Sequence, residues 1–89
     1  LIRRTLTIVN RLGLHARAAA RLVGLTSQYQ SSIEIERNGR RVNGKSIMGV
    51  MMLAAAQGSE ITIHADGADE AEAMAAIEAL VRERFGETE

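Results

Sequence analysis

The dipeptide Asn38-Gly39 decides more about this chain than any other short segment. Both central positions of a type I′ turn need positive φ, and Asn-Gly supplies them at low steric cost. Ahead of it, Ile33 and Ile35 alternate with Glu34 and Glu36; behind it runs a short return segment, Arg40–Val42. The reading is an antiparallel hairpin. Two further segments show the same period of two. Leu6 and Ile8 alternate with Thr5 and Thr7 over Arg3–Val9, and Ile61, Ile63 and Ala65 alternate with Thr62 and His64. Alternation, rather than a continuous apolar run, predicts strands with one covered face and one wet face.

Between the strands the apolar spacing changes to three and four. Ala19, Leu22 and Val23 share one face of a helix predicted over Ala16–Thr26, with Arg17 and Arg21 off that face. Ser27–Ser32 is a connector in which Tyr29 is a packing residue. Ser46 is placed to cap a second helix, Ile47–Leu53, which tolerates Gly49 at a cost. Asp69 and Glu72 have the spacing of a capping box for a last helix from Glu70 to about Arg84. Its buried stripe would be Ala73, Met74, Ile77, Leu80 and Val81. The order βαββαβα, without linker or repeat, predicts one α+β domain over residues 1–89. Its natural layering is a mostly antiparallel four-stranded sheet with helices over one face. Aromatics make up only 2% of the chain, so the core must be aliphatic.

A domain this small cannot enclose an active site on all sides, so its chemistry should lie at the surface and be shared with a partner. Lysine plus arginine and aspartate plus glutamate both number 11. A neutral domain without a basic stripe or stacking aromatics is a poor nucleic-acid binder. Cysteine is absent, which removes thiolate chemistry and Cys-type metal sites and suits a reducing compartment. No apolar run approaches membrane-spanning length, so no membrane insertion is expected. The opening LIRRTLTIVN is interrupted by charge and does not read as a secretory leader, which makes the cytoplasm the expected location.

Gly13-Leu14-His15-Ala16-Arg17 carries the chemistry. His15 sits at the start of the first helix, where backbone N–H groups lack intrahelical partners and the helix dipole is positive. A dianionic group there would meet the N–H groups of Ala16, Arg17 and Ala18, and Arg17 can add a permanently charged guanidinium. Imidazole is both a neutral nucleophile near neutral pH and a labile phosphoryl donor once modified. Gly13 permits the tight entry into the helix. On spacing alone, His-x-Arg fits a phosphate site and an ordinary helix start with a solvated arginine equally well.

The segment NRLGLHARAAARLV, residues 10–23, resembles the active-site signature of HPr, the histidine-containing phosphocarrier of the bacterial phosphotransferase system. A second block, VNGKSIMGVMMLAAAQGSEI, residues 42–61, resembles that family's second signature. The alanine-rich HARAAA and MMLAAAQG runs look most like the nitrogen-related branch, NPr. The resemblance implies an open-faced β-sandwich, three helices over one face of a four-stranded antiparallel sheet. It implies that His15 is phosphorylated on Nδ1 by enzyme I, drawing on phosphoenolpyruvate, and passes the group to a histidine of an enzyme IIA protein. Arg17 matches the arginine beside the phosphohistidine. Such a chain is a carrier without a cofactor, not a freestanding enzyme. Many sugar-type members have proline where this chain has Ala18; alanine is a good helix former and should leave the site intact.

Ser46 reads as a helix cap, and by resemblance also as the serine that a dedicated kinase/phosphorylase modifies in some relatives. Met48, Met51 and Met52 cannot all face the core while Ile47, Val50 and Leu53 are available for it. The preferred reading sets them with Leu14 on an exposed apolar patch around His15, extended by Ala20 and Gly49 and rimmed by Arg17 and Arg21. Flexible methionines suit a surface that must fit several partners in turn. A monomer is expected, because partners must reach His15. His64 reads as a solvated residue of the wet face, and Arg3-Arg4, Arg40-Arg41 and the closing Glu-Thr-Glu as solvated edges. Two distant histidines make no case for a metal.

Three other functions make different demands on the sequence. A regulator that binds according to its phosphorylation state is compatible with His15 and with modification of Ser46. A small hydrolase would need a group to orient the lone histidine. A nucleic-acid binder would need exposed aromatics or a basic groove.

Overall fold

The computed structural model describes residues 1–89. Its elements run β1 Ile2–Thr7, α1 Ala16–Thr26, β2 Ser32–Arg37, β3 Arg40–Asn43, α2 Ile47–Met51, β4 Glu60–Asp66 and α3 Glu70–Arg82, with a final 3-10 turn at Arg84–Gly86. The strands form one sheet in the order β1-β4-β2-β3, with every pair antiparallel. The hairpin turn has the expected geometry, with Asn38 at φ 52° and Gly39 at φ 81°.

Register follows the alternation. Leu6 pairs with Ile61, and Ile35 lies between Ile63 on one side and Val42 on the other. Ile33, Ile35, Ile61, Ile63 and Ala65 are buried together with Ala19, Leu22, Ala73, Met74 and Ile77 from the helices. The predicted stripe of α3 is buried except at Leu80, which is half-buried. No helix is long and apolar enough to cross a membrane.

Several local expectations are corrected. Helix α2 ends at Met51 rather than Leu53, because Ala54 takes φ 50° and turns the chain. Ile47 is exposed; Val50 and Leu53 alone carry that segment into the core. The capping box on α3 does not form. Asp69 makes no cap bond and instead accepts from the backbone N–H groups of Gln30 and Ser31, each at 2.9 Å, and from the Ser31 hydroxyl. His64 is only 8% exposed although it lies on the open face. Arg3 and Glu34 stand opposite it on the neighbouring strands, and Glu36 Oε1 lies 2.9 Å from its Nε2, so long charged side chains bury the ring.

Helix α3 stops at Arg82, and the following residues reverse direction. Arg84, Phe85 and Gly86 all have positive φ, 60°, 55° and 80°. This left-handed turn drives Phe85 into the core, where it is 1% exposed, and sends the next residues back toward the start of α1.

Candidate functional site

The site begins with the entry into α1. Gly13 takes φ 67°, and a side chain there would run into the backbone at Ala55 O and Ala56 Cα. The N–H of Leu14 then donates to Ala55 O at 2.9 Å. The loop after α2 thus fixes the residues just before His15.

His15 is the N-cap of α1, extended at φ −73° and ψ 177°, and its side chain makes no cap bond. The first helical bond of α1 runs from the N–H of Ala19 to His15 O at 2.8 Å. The N–H groups of Ala16, Arg17 and Ala18 come before it and point out of the helix end. Ala16 and Arg17 are exposed and line the cleft beside His15, whereas Ala18 is wholly buried behind them.

The imidazole, 28% exposed, lines an open cleft of about 780 Å³ together with Arg11, Leu12, Arg17, Arg21 and Glu87. Arg17 is exposed, and its guanidinium forms no ion pair with the chain's own carboxylates. Arg21 Nη1 donates to Phe85 O, and Arg11 Nη1 donates to Glu89 Oε1 at 2.9 Å. A ring nitrogen, free backbone donors and an unengaged guanidinium around one open cleft can hold a dianionic group at the surface.

Of the closing Glu-Thr-Glu, Thr88 and Glu89 are exposed as expected, but Glu87 is not solvated. Glu87, its side chain 15% exposed, places Oε2 against His15 Nε2. Its Oε1 accepts from Asn10 Nδ2 at 2.9 Å. Asn10 is wholly buried and also donates to Gly13 O at 2.9 Å. The Asn10 hydrogen bond, with help from His15 and the charge of Arg21, holds the Glu87 carboxyl below its ordinary range. Neither Glu87 nor Asn10 stands out in the sequence as a site residue. The available signal was Phe85-Gly86, an apolar residue and a glycine just past the last helix, which is the pattern of a chain folding back on itself.

The expected partner patch is corrected in part. Leu14 is 5% exposed and belongs to the core, its N–H tied to Ala55. Met48 and Met51, on an α2 that packs against α1, and Met52 just past its end are exposed at 71%, 39% and 58%. Leu12 and Ile47 join the exposed apolar residues; Gly49 is half-buried; Ala20 and Arg21 are exposed. Arg37 and Arg40 donate to Leu53 O and Met52 O, at 3.1 and 3.2 Å, and so satisfy the carbonyls at the end of α2. Ser46 is half-buried, and its hydroxyl accepts from the Gly49 N–H at 3.1 Å, the expected cap.

Comparison with known proteins agrees with this architecture. Phosphocarrier protein HPr of Cupriavidus necator is 55% identical over 89 residues, the full length of both chains. The crystal structure of HPr-C-His from Thermoanaerobacter tengcongensis superposes with a TM-score of 0.96 at 42% identity and covers all of both chains. Phosphocarrier protein HPr from Bacillus anthracis gives 0.85 at 41% identity, over 88% of this chain and 93% of that one. Residues 2–83 match the family described as "PTS HPr component phosphorylation site", and this chain belongs to that HPr family of phosphocarriers of the phosphotransferase system.

Proposed function

We propose that His15 accepts a phosphoryl group from enzyme I, which draws it from phosphoenolpyruvate, and delivers it to a histidine of an enzyme IIA protein. The observation that carries this reading is the placement of the imidazole. It stands at the helix start, beside the free N–H groups of Ala16 and Arg17 and the unengaged Arg17 guanidinium, in a cleft open to a partner, with Ala18 next in the same first turn. Arg17 would neutralise the phosphoryl oxygens on both legs of the journey. The exposed methionines of α2, with Ala20, Gly49 and Arg21, would form the transient docking surface of a monomer working in the cytoplasm. A relative 55% identical over the whole chain carries the name HPr. The nitrogen-related branch therefore rests on the alanine-rich segments alone, and competition between sugar-type and nitrogen-type enzyme I as donors would decide it.

The test is intact mass after incubation with phosphoenolpyruvate, Mg²⁺ and enzyme I. Wild type should gain one acid-labile phosphoryl group, and His15→Ala should gain none. A folded wild type that stays unmodified beside an active enzyme I would refute the reading.

Regulation at Ser46 is part of the same proposal. A phosphate there would place about two negative charges beside Met48 and the rest of the docking surface, hindering approach without refolding α2. Ser46→Asp should slow phosphorylation by enzyme I while leaving the fold intact by circular dichroism. Equal rates for the two proteins would remove Ser46 from the account.

A further inference from the structure

The carboxylate behind the histidine has a chemical consequence. Glu87 Oε2 contacts His15 Nε2, and Asn10 holds Oε1 from the far side, so both carboxylate oxygens are committed. Asn10 makes this contact although its own Oδ1 is buried without a partner. A buried polar atom left unpaired costs about 1–3 kcal/mol, which argues that the side chain is positioned for what Nδ2 does. Three elements converge on the contact: the loop after β1 through Asn10, the start of α1 through His15, and the reversed tail through Glu87. The other charged groups around it are Arg17 and Arg21 on α1, Arg11 on the loop and Glu89 on the tail.

The geometry points to Glu87 as the positioning residue of phosphoryl transfer, holding the His15 proton on Nε2 so that Nδ1 presents its lone pair to the cleft. An ionised carboxylate only accepts hydrogen bonds, so the nitrogen facing it must carry the hydrogen. This inference rests on the carrier reading and adds an account of how the proton is managed. In the forward step the Nδ1 lone pair attacks the phosphorus of an N-phosphohistidine on the donor protein. The new N–P bond forms as the old one breaks, and that bonding pair returns to the donor's imidazole. No proton moves. The His15 ring keeps its hydrogen on Nε2 and takes up positive charge, which Glu87 balances at contact distance. In the return step the ring leaves Nδ1-first as neutral imidazole, still protonated on Nε2. Glu87 would thus serve capture and release through one contact, much as the buried aspartate of a catalytic triad orients its histidine without being protonated.

The experiment pairs ring NMR with transfer kinetics on wild type, Glu87→Gln and Glu87→Ala. Near about pH 9, where an unperturbed imidazole is neutral, ¹⁵N spectra report which nitrogen carries the hydrogen. Wild type should show His15 as the Nε2–H tautomer with a slowly exchanging Nε2 proton. Glu87→Gln should keep that tautomer through its amide oxygen but lose the charge. Glu87→Ala should lose the slow proton and mix the tautomers. Phosphorylation by enzyme I should slow roughly tenfold in both variants, the size of effect expected for groups that orient a functional imidazole. Overlaid amide spectra of the rest of the chain verify folding. A wild-type ring protonated on Nδ1 would overturn the inference, and so would unchanged ring signals and rates in Glu87→Ala. A wild type that never gains phosphate would instead overturn the carrier reading, with the ring spectra still reporting whether Glu87 sets the tautomer.

Discussion

Asp69 shows how a residue suited to one local role is claimed by another. At the start of α3 it could cap its own helix, but its carboxylate turns to the chain before β2 and accepts two backbone N–H groups and the Ser31 hydroxyl. Those donors, Ser31 Oγ first and the Gln30 N–H next, lower its pKa. The sign of the linkage follows. An acid depressed in the folded state contributes stability that is fully present above its unfolded pKa of about 4 and is lost as pH falls through the folded value. Asp69→Asn should therefore melt below wild type at neutral pH, and the gap should close as pH drops below about 4. Thermal melts across that window check it; a gap that stays constant with pH would mean the charge contributes nothing. Asp69 and Ser31 lie far apart in sequence, so no spacing rule could have revealed this exchange of partners.

At the scale of elements, what was legible was what is local. Strands β2, β3 and β4, helix α1 and the Asn38-Gly39 turn each announce themselves through period and turn chemistry, and all stand where those rules place them. Element ends were less legible, for reasons that lie in tertiary contacts. Helix α2 is cut short at a left-handed Ala54, a residue with no propensity for that conformation, because Leu53 and Ala55 must both reach the core. Gly13 reads as a tight entry into α1, and its φ of 67° agrees. Its second role was hidden: Ala55 O leaves no room for a Cβ, so the entry to α1 and the exit from α2 are built as one piece. In the site, the His15 and Arg17 side of the cleft could be read from a single segment. The Asn10 and Glu87 side could not, because it depends on where a turn at the far end of the chain delivers its last residues.

For the molecule as a whole, the question is what holds that far end in place. The core is almost entirely aliphatic, and Phe85 is the one phenyl ring in it. It sits two residues before Glu87, in a turn where neither Arg84 nor Phe85 has a favourable backbone conformation. A left-handed residue other than glycine costs roughly 1–2 kcal/mol, and burial of the ring offsets that cost. The Arg21 bond to Phe85 O ties the same turn to α1. Core packing and the position of the Glu87 carboxylate are therefore coupled through one side chain. Phe85→Ala should cost about 3–5 kcal/mol and lower Tm by more than about 10 °C. In the fraction that stays folded, the turn loses its anchor, so the slowly exchanging His15 Nε2 proton should disappear although neither His15 nor Glu87 has changed. Leu80→Ala, on the half-buried edge of the α3 stripe, is the control: it should cost less stability and leave the ring signal intact. Melting curves and ring spectra recorded on the same three proteins separate the outcomes. If Phe85→Ala keeps the His15 signature while losing its stability, the tail is held at the site by its polar contacts with Asn10, Arg11 and Arg21 without the ring, and the core and the carboxylate act independently.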